Sequence, residues 1–278
     1  MKKIIFTFLL MSILSGQANN LLTLPPTAQI SSLGNVDLPY MNPARYTMIK
    51  DKISFSRVNW MSNITDDMFY THFSVKKNMI KFDMLAFNYG EQLETNNNGV
   101  VIGDFTPSSA IWGLSYNGKI KDYNYGLKAK LISHNLYSQK TLGTAFDVST
   151  YLPKVYKDLD IDLAIRNFGF APTFNNYKTK LPISLNVGFS YPYKDFMFYE
   201  QHNFFKKNHT SGMGILYKYD AQNNTKLFGK VGYYSDKKHN LTYPTFGLDL
   251  KYEQYFIGIS YIYGDRTLPL GDTFRLTI

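Results

Sequence analysis

The chain has 278 residues, no cysteine, a formal charge of +9 and 17% aromatic side chains, led by 23 Tyr and 21 Phe. The absence of cysteine excludes a disulfide framework and a lipid anchor on an N-terminal cysteine. Beyond the first residues no segment has the ~20-residue apolar run of a membrane helix, so a helical inner-membrane protein is excluded too.

Residues 1–18 read as an export signal. Lys2 and Lys3 precede the apolar stretch Ile4 to Leu14, and the small residues Gly16 and Ala18 stand at −3 and −1 of a cut after Ala18. Residues 19–50 alternate poorly and hold Gly34 with Pro25, Pro26, Pro39 and Pro43. They form an irregular segment ahead of residues 51–278 that could lie inside the rest as a plug.

From there on, the dominant signal is alternation with a period of two. Tyr123, Tyr125, Leu127, Ala129 and Leu131 alternate with Asn124, Gly126, Lys128 and Lys130. Ile183, Leu185, Val187, Phe189 and Tyr191 alternate with Ser184, Asn186, Gly188 and Ser190. Tyr255, Ile257, Ile259, Tyr261 and Tyr263 alternate with Phe256, Gly258, Ser260 and Ile262. A sandwich would need two faces that fill a dry core. Here the second face is small and polar, which suits a lumen.

The pattern predicts strands near 52–60, 67–76, 79–90, 108–118, 123–135, 142–152, 160–168, 182–192, 195–204, 210–220, 225–235, 244–252, 254–264 and 272–278. Short connections alternate with longer ones at 91–107, 169–181 and 236–243. The expected fold is all-β, a transmembrane antiparallel barrel of about 14 strands in the outer membrane. The last strand alternates Phe274, Leu276 and Ile278 with Thr273, Arg275 and Thr277.

Motifs for chemistry are missing. The histidines at 72, 134, 202, 209 and 239 form no HxH, HxxxH or HExxH pattern and read as isolated residues. There is no phosphate loop and no GxSxG elbow. An enzyme, a bound cofactor and a nucleic-acid partner are therefore not expected. The positive charge fits solvated loops, or contact with anionic lipopolysaccharide or an acidic partner. Strand parity turns Lys128 and Lys130, then Asp147, then Asp162 and Arg166 into the lumen on three successive strands. They read as a structural salt-bridge network, or else as a binding or permeation path.

Several short pieces, in order, resemble the PorV/PorQ family, closest to its PorQ branch. They are Leu33-Gly34, Asn42-Pro43-Ala44, Tyr89-Gly90, Gly103-Asp104-Phe105, Leu114-Ser115-Tyr116, Tyr125-Gly126 with Lys128, Asp147 with Tyr151, Arg166-Asn167-Phe168-Gly169 and Leu181-Pro182. Asn35 stands where a second glycine is common in that family. The resemblance implies a FadL-like architecture and a non-enzymatic scaffold in type IX secretion of Bacteroidota. Its partners would be PorU-, PorV- and PorZ-like proteins of the complex that attaches secreted cargo to surface lipopolysaccharide. A FadL-like channel for hydrophobic small molecules and a plain porin are the alternatives from the residues.

Deleting residues 1–18 should leave the protein in the cytoplasm, because the basic and apolar regions are the export address. Fractionation checks this, and normal delivery of the truncated chain to the outer membrane would refute the assignment.

Overall fold

The computed structural model describes residues 21–48, 53–60, 67–96, 98–121, 123–137, 139–174, 177–221, 224–264 and 273–278. The expected signal peptide and the outermost ends of the expected first and last strands lie outside these residues. Fourteen antiparallel strands close into one barrel. They are β1 (Ile53–Asn59), β2 (Met68–Lys77), β3 (Ile80–Tyr89), β4 (Ser108–Ile120), β5 (Tyr123–Leu136), β6 (Gln139–Tyr156), β7 (Leu159–Phe170), β8 (Ser184–Tyr193), β9 (Phe196–Phe205), β10 (Asn208–Asp220), β11 (Thr225–Asp236), β12 (Leu241–Tyr252), β13 (Tyr255–Ile262) and β14 (Thr273–Thr277). All fourteen expected strands are present, with ends displaced by a few residues.

Closure joins β1 to β14, with Ser56 opposite Thr277 and Arg57 opposite Leu276. Phe55 and Ile278 exchange both backbone hydrogen bonds at 2.8 Å. The expected long connections 91–107 and 169–181 each carry a small two-stranded sheet, Gln92–Thr95 with Val101–Phe105 and Thr173–Phe174 with Tyr177–Lys178. Both are invisible to the alternation rule, because a ribbon outside the membrane has no face that must be apolar.

The two ends of the barrel differ. At the end where β1 begins and β14 stops, β2–β3, β4–β5, β6–β7, β8–β9 and β12–β13 are joined by two-residue turns. Five of these turns use a non-glycine residue with positive φ: Asn78, Lys121, Lys157, Lys194 and Glu253. The other end carries both ribbons and the connection between β13 and β14. Short turns face the periplasm and long loops face outward in outer-membrane barrels, so this assigns the orientation. Exposed aromatics crowd the short-turn end of the outer wall, among them Tyr123, Tyr193, Phe196, Tyr219, Tyr252 and Tyr255. They form the interfacial girdle expected where tyrosine meets headgroups.

Residues 21–48 sit inside. They form short pieces, a 3-10 turn at Leu21–Thr23, helix α1 (Ala28–Ser31), helix α2 (Leu38–Met41) and a second 3-10 turn at Pro43–Arg45. The inward small residues of the wall make room for them. Gly34 has φ +68°, and a Cβ there would lie 2.3 Å from the Tyr233 carbonyl oxygen. Gly212 and Gly232 face it equally closely. Asn35 follows with φ +60°, a backbone that asparagine tolerates better than most residues.

The same parity gives a test. Leu185 is 48% exposed on the outer wall, whereas Asn186 is 3% exposed in the lumen. Leu185→Arg should lower stability by roughly 2–4 kcal/mol, while Asn186→Arg should cost clearly less because its head can reach the polar interior. Heat-modifiable gel mobility reads the folded fraction, and the opposite order would invert the assigned faces.

Candidate functional site

The lumen has two parts, a plugged lower half and an open outer vestibule. In the lower half the inward charges of the wall meet the plug. Asp162 on β7 receives Arg45 through Nε at 2.8 Å and Nη2 at 2.6 Å, a two-point pairing. Asn42 Nδ2 donates to the same carboxylate at 2.7 Å, and its Oδ1 accepts from the Ala44 backbone N–H. The Arg45 guanidinium lies 4.0 Å over the Tyr151 ring. Pro43 and Ala44 press on Gly126, where a Cβ would collide with both.

Higher up, Arg166 Nη1 donates to Asp37 at 2.5 Å. Gln201 on β9 holds the same residue from the other side. Its Oε1 accepts from the backbone N–H groups of Asp37 and Leu38 at 2.9 Å, and its Nε2 donates to Asp37 Oδ1. Beside the vestibule, the Pro25 carbonyl accepts from Tyr70 Oη at 2.8 Å and Arg275 Nη1 at 2.9 Å. Ala28 N donates to Thr277 Oγ1 at 2.8 Å.

Other inward charges pair within the wall. Lys130 bonds Asp147 at 2.7 Å and Asn167 Oδ1 at 2.6 Å. Lys128 stands opposite Asp147 in backbone register, yet its ammonium goes to Asp83 on β3, 2.7 Å from each oxygen. This bridge crosses β4 at Gly113, where a Cβ would lie 2.5 Å from Lys128 Cε and 2.7 Å from Asp83 Oδ2. Lys230 and Asp249 form a further buried pair on the far side.

Between β6 and β7 the register shifts at Asp147, and Asn167 takes φ +60°. The extra residue breaks alternation, so Arg166 and Asn167 are consecutive and both point inward. Asn167 N donates to Asp147 Oδ1 at 2.9 Å, and Gly169, at φ +153°, packs on the Thr144 carbonyl.

The five lumen charges named from sequence all point inward and are ion-paired, but their partners were only partly legible. Asp37, Arg45, Asp83 and Gln201 were missed. Asp37 and Arg45 lie in the irregular segment, which offers no parity, and Asp83 lies two strands away from Lys128. The histidines also need correction. His202 Nδ1 and His209 Nε2 are 3.2 Å apart, and His202 Nε2 is 3.0 Å from Glu200 Oε1, all on the outer wall of β9 and β10. Strand pairing brings these residues together although their spacing matches no motif. Among the described residues no cluster of His, Asp and Glu has an arrangement that could hold a metal ion.

The vestibule has a volume of about 1200 Å³. Its walls are of two kinds. Trp60, Phe87 and Tyr89 with Leu22, Leu24 and Leu181 give an apolar side. The rings of Phe87 and Tyr89 are 4.4 Å apart, and Trp60 meets Phe87 edge-on at 6.1 Å. Across from them stand Asn186, Gln201, Asn203 and Tyr243.

No family model and no curated protein matches the sequence. Solved structures do match in fold. The Pseudomonas putida toluene transporter TodX superposes with a TM-score of 0.54 at 10% identity, covering 90% of this chain and 95% of that one. The CymD monoaromatic hydrocarbon channel gives 0.52 at 10% identity, covering 93% and 96%. The chain thus shares the barrel fold of this transporter and this channel, and its closed ring of fourteen strands with an apolar outer face is that of an outer-membrane protein.

Asp162→Ala would leave Arg45 and Asn42 facing a vacated site. It should destabilise the folded protein by about 3 kcal/mol and loosen the lower plug. Denaturant titration in detergent and conductance in planar bilayers measure the two effects. An unchanged midpoint with unchanged conductance would show that this pair does not fasten the segment.

Proposed function

We propose that the protein is a plugged outer-membrane channel that takes up small hydrophobic molecules through the outer vestibule. The observation that carries this reading is the apolar side of the vestibule, where Trp60, Phe87, Tyr89, Leu22 and Leu24 continue the buried cluster of Leu85, Ile111 and Ile132. A water-filled porin gains nothing from an apolar wall at its mouth. A site that strips a hydrophobic solute from water does, at about 25 cal/mol per Å² of apolar surface covered. The hydrocarbon channels TodX and CymD share the barrel architecture, which supports the same reading.

A second reading keeps the implication of the PorV/PorQ resemblance, a scaffold for surface attachment of type IX cargo with PorU-, PorV- and PorZ-like partners. It is favoured by the positions of Asn42 and Arg166, which fasten the segment to the wall through Asp162 and Asp37. A rigid filled barrel suits a scaffold. A deletion strain assayed for surface cargo and for hydrophobic solute uptake separates the two readings: the channel predicts lost uptake with intact cargo.

Trp60 provides a direct test. The chain has two tryptophans, and Trp112 lies on β4 with its side chain on the outer wall. In a Trp112→Phe variant, a monoaromatic hydrocarbon should quench the remaining Trp60 fluorescence saturably, and Leu24→Arg should weaken binding about tenfold. An unresponsive Trp60 across a panel of alkyl and aromatic solutes would remove the channel reading.

A further inference from the structure

Two adjacent turns at the outer end concentrate positive charge. The β9–β10 turn presents Lys206 and Lys207, and the β11–β12 turn presents Lys237, Lys238 and His239, all exposed. Among the described residues none of these four lysines is ion-paired with a carboxylate.

The turns are held side by side. Asp236 Oδ1 accepts from Asn208 Nδ2 at 3.0 Å and from the backbone N–H groups of Lys238 and His239 at 3.1 and 3.2 Å. Its Oδ2 lies 2.8 Å from His239 Nδ1. Asn208 Oδ1 in turn accepts from the N–H groups of His209 and Lys238. The one carboxylate at the turns is thus engaged in shaping them, and the lysines stay exposed on the rim, where Lys206, Lys207 and Lys238 also border the vestibule.

The outer wall below them departs from an ordinary lipid-facing surface. Phe204, His209 and His202 stack with ring centroids 4.8 and 5.3 Å apart. Glu200 follows, engaged by His202. Met213 stands level with Glu200, and below them the wall is apolar with Phe198 and Ile215. From rim to midplane the order is cationic, polar-aromatic, apolar.

We infer that the outer face of β9–β12 is a binding site for a phosphorylated glucosamine glycolipid, the lipopolysaccharide of the outer leaflet. Its phosphates meet Lys206, Lys207, Lys237 and Lys238, its sugar rings lie against the His202–His209–Phe204 stack, and its acyl chains follow the apolar wall. The charge is complementary and the vertical order matches that of the lipid. Charge-assisted bonds from several lysines held on one rim favour a multiply phosphorylated headgroup over a single anion. The lysines stand on the rim between this outer wall and the vestibule, and the stacked rings and apolar wall below them lie on the outer face.

The test uses the full purified protein in detergent, with bisphosphorylated lipid A and its dephosphorylated form as probes, read by native mass spectrometry. The unaltered protein should retain the bisphosphorylated lipid and lose most binding with the dephosphorylated one. K206Q/K207Q/K237Q/K238Q should weaken lipid A binding about tenfold or more. The matching arginine set should retain binding, and K119Q/K121Q/K154Q/K157Q at the periplasmic end should leave it unchanged. Inorganic phosphate should compete only weakly. Equal binding of the two lipids by the unaltered protein, which needs no variant to fold, would overturn the proposal. So would wild-type binding by the glutamine set, equal loss in the periplasmic set, or full competition by inorganic phosphate. The last result would mean that the lysines, several of which also border the vestibule, serve a free anionic solute instead.

Discussion

Every backbone N–H and C=O within the hydrocarbon layer must find a partner in the protein, because no water is there to supply one. The pairing of β1 with β14 meets that demand, and much of the remaining structure follows from it. Closure fixes an antiparallel ring with an even number of strands. It returns both ends of the ring to the same side and divides every strand into a lipid face and a lumen face. The tyrosines at the short-turn end and the aliphatic side chains above them are consequences of that division.

Closure also creates an interior that must be filled. Small inward residues let residues 21–48 approach the wall, and Gly34 against Gly212 and Gly232 is the tightest case. The segment makes backbone hydrogen bonds of its own in short helical turns, and wall side chains supply others. Gln201 serves two backbone N–H groups of the plug, and Thr277 serves another. Charged groups in so confined a space need a partner, an opposite charge or, for Arg275, the Pro25 carbonyl. Arg45 with Asp162, Arg166 with Asp37, Lys130 with Asp147 and Lys128 with Asp83 meet that requirement.

The pairs also order the barrel vertically. Arg45 with Asp162 and Arg166 with Asp37 join plug to wall, so the lower half is occupied. Above them the segment ends in leucines beside Trp60, and the interior opens into a vestibule with one apolar side. A hydrophobic solute would be received above a fastened plug, and its further passage requires the plug contacts to yield. The rim lysines stand at the edge of the vestibule, where the barrel meets the outer leaflet.

The period-two pattern determined the strand count, the faces and the membrane environment, because side-chain direction in a strand depends only on neighbours in sequence. That is why Leu185 and Asn186, or Leu127 and Lys128, could be assigned to opposite faces by reading alone. Pairing partners could not be read this way. Lys128 passes over its register neighbour Asp147 to reach Asp83, since Gly113 leaves the space to do so. The bulge at Asn167 adds a second inward side chain beside Arg166, against the parity rule. Asp37 and Arg45 come from a segment with no periodicity, and their roles appear only once it is folded into the lumen. The two outer ribbons, and the meeting of His202 with His209, likewise depend on strand pairing. Faces are a local property of the chain; partners, cavities and rims are set by which strands the closed ring brings together, and only the tertiary structure decides that.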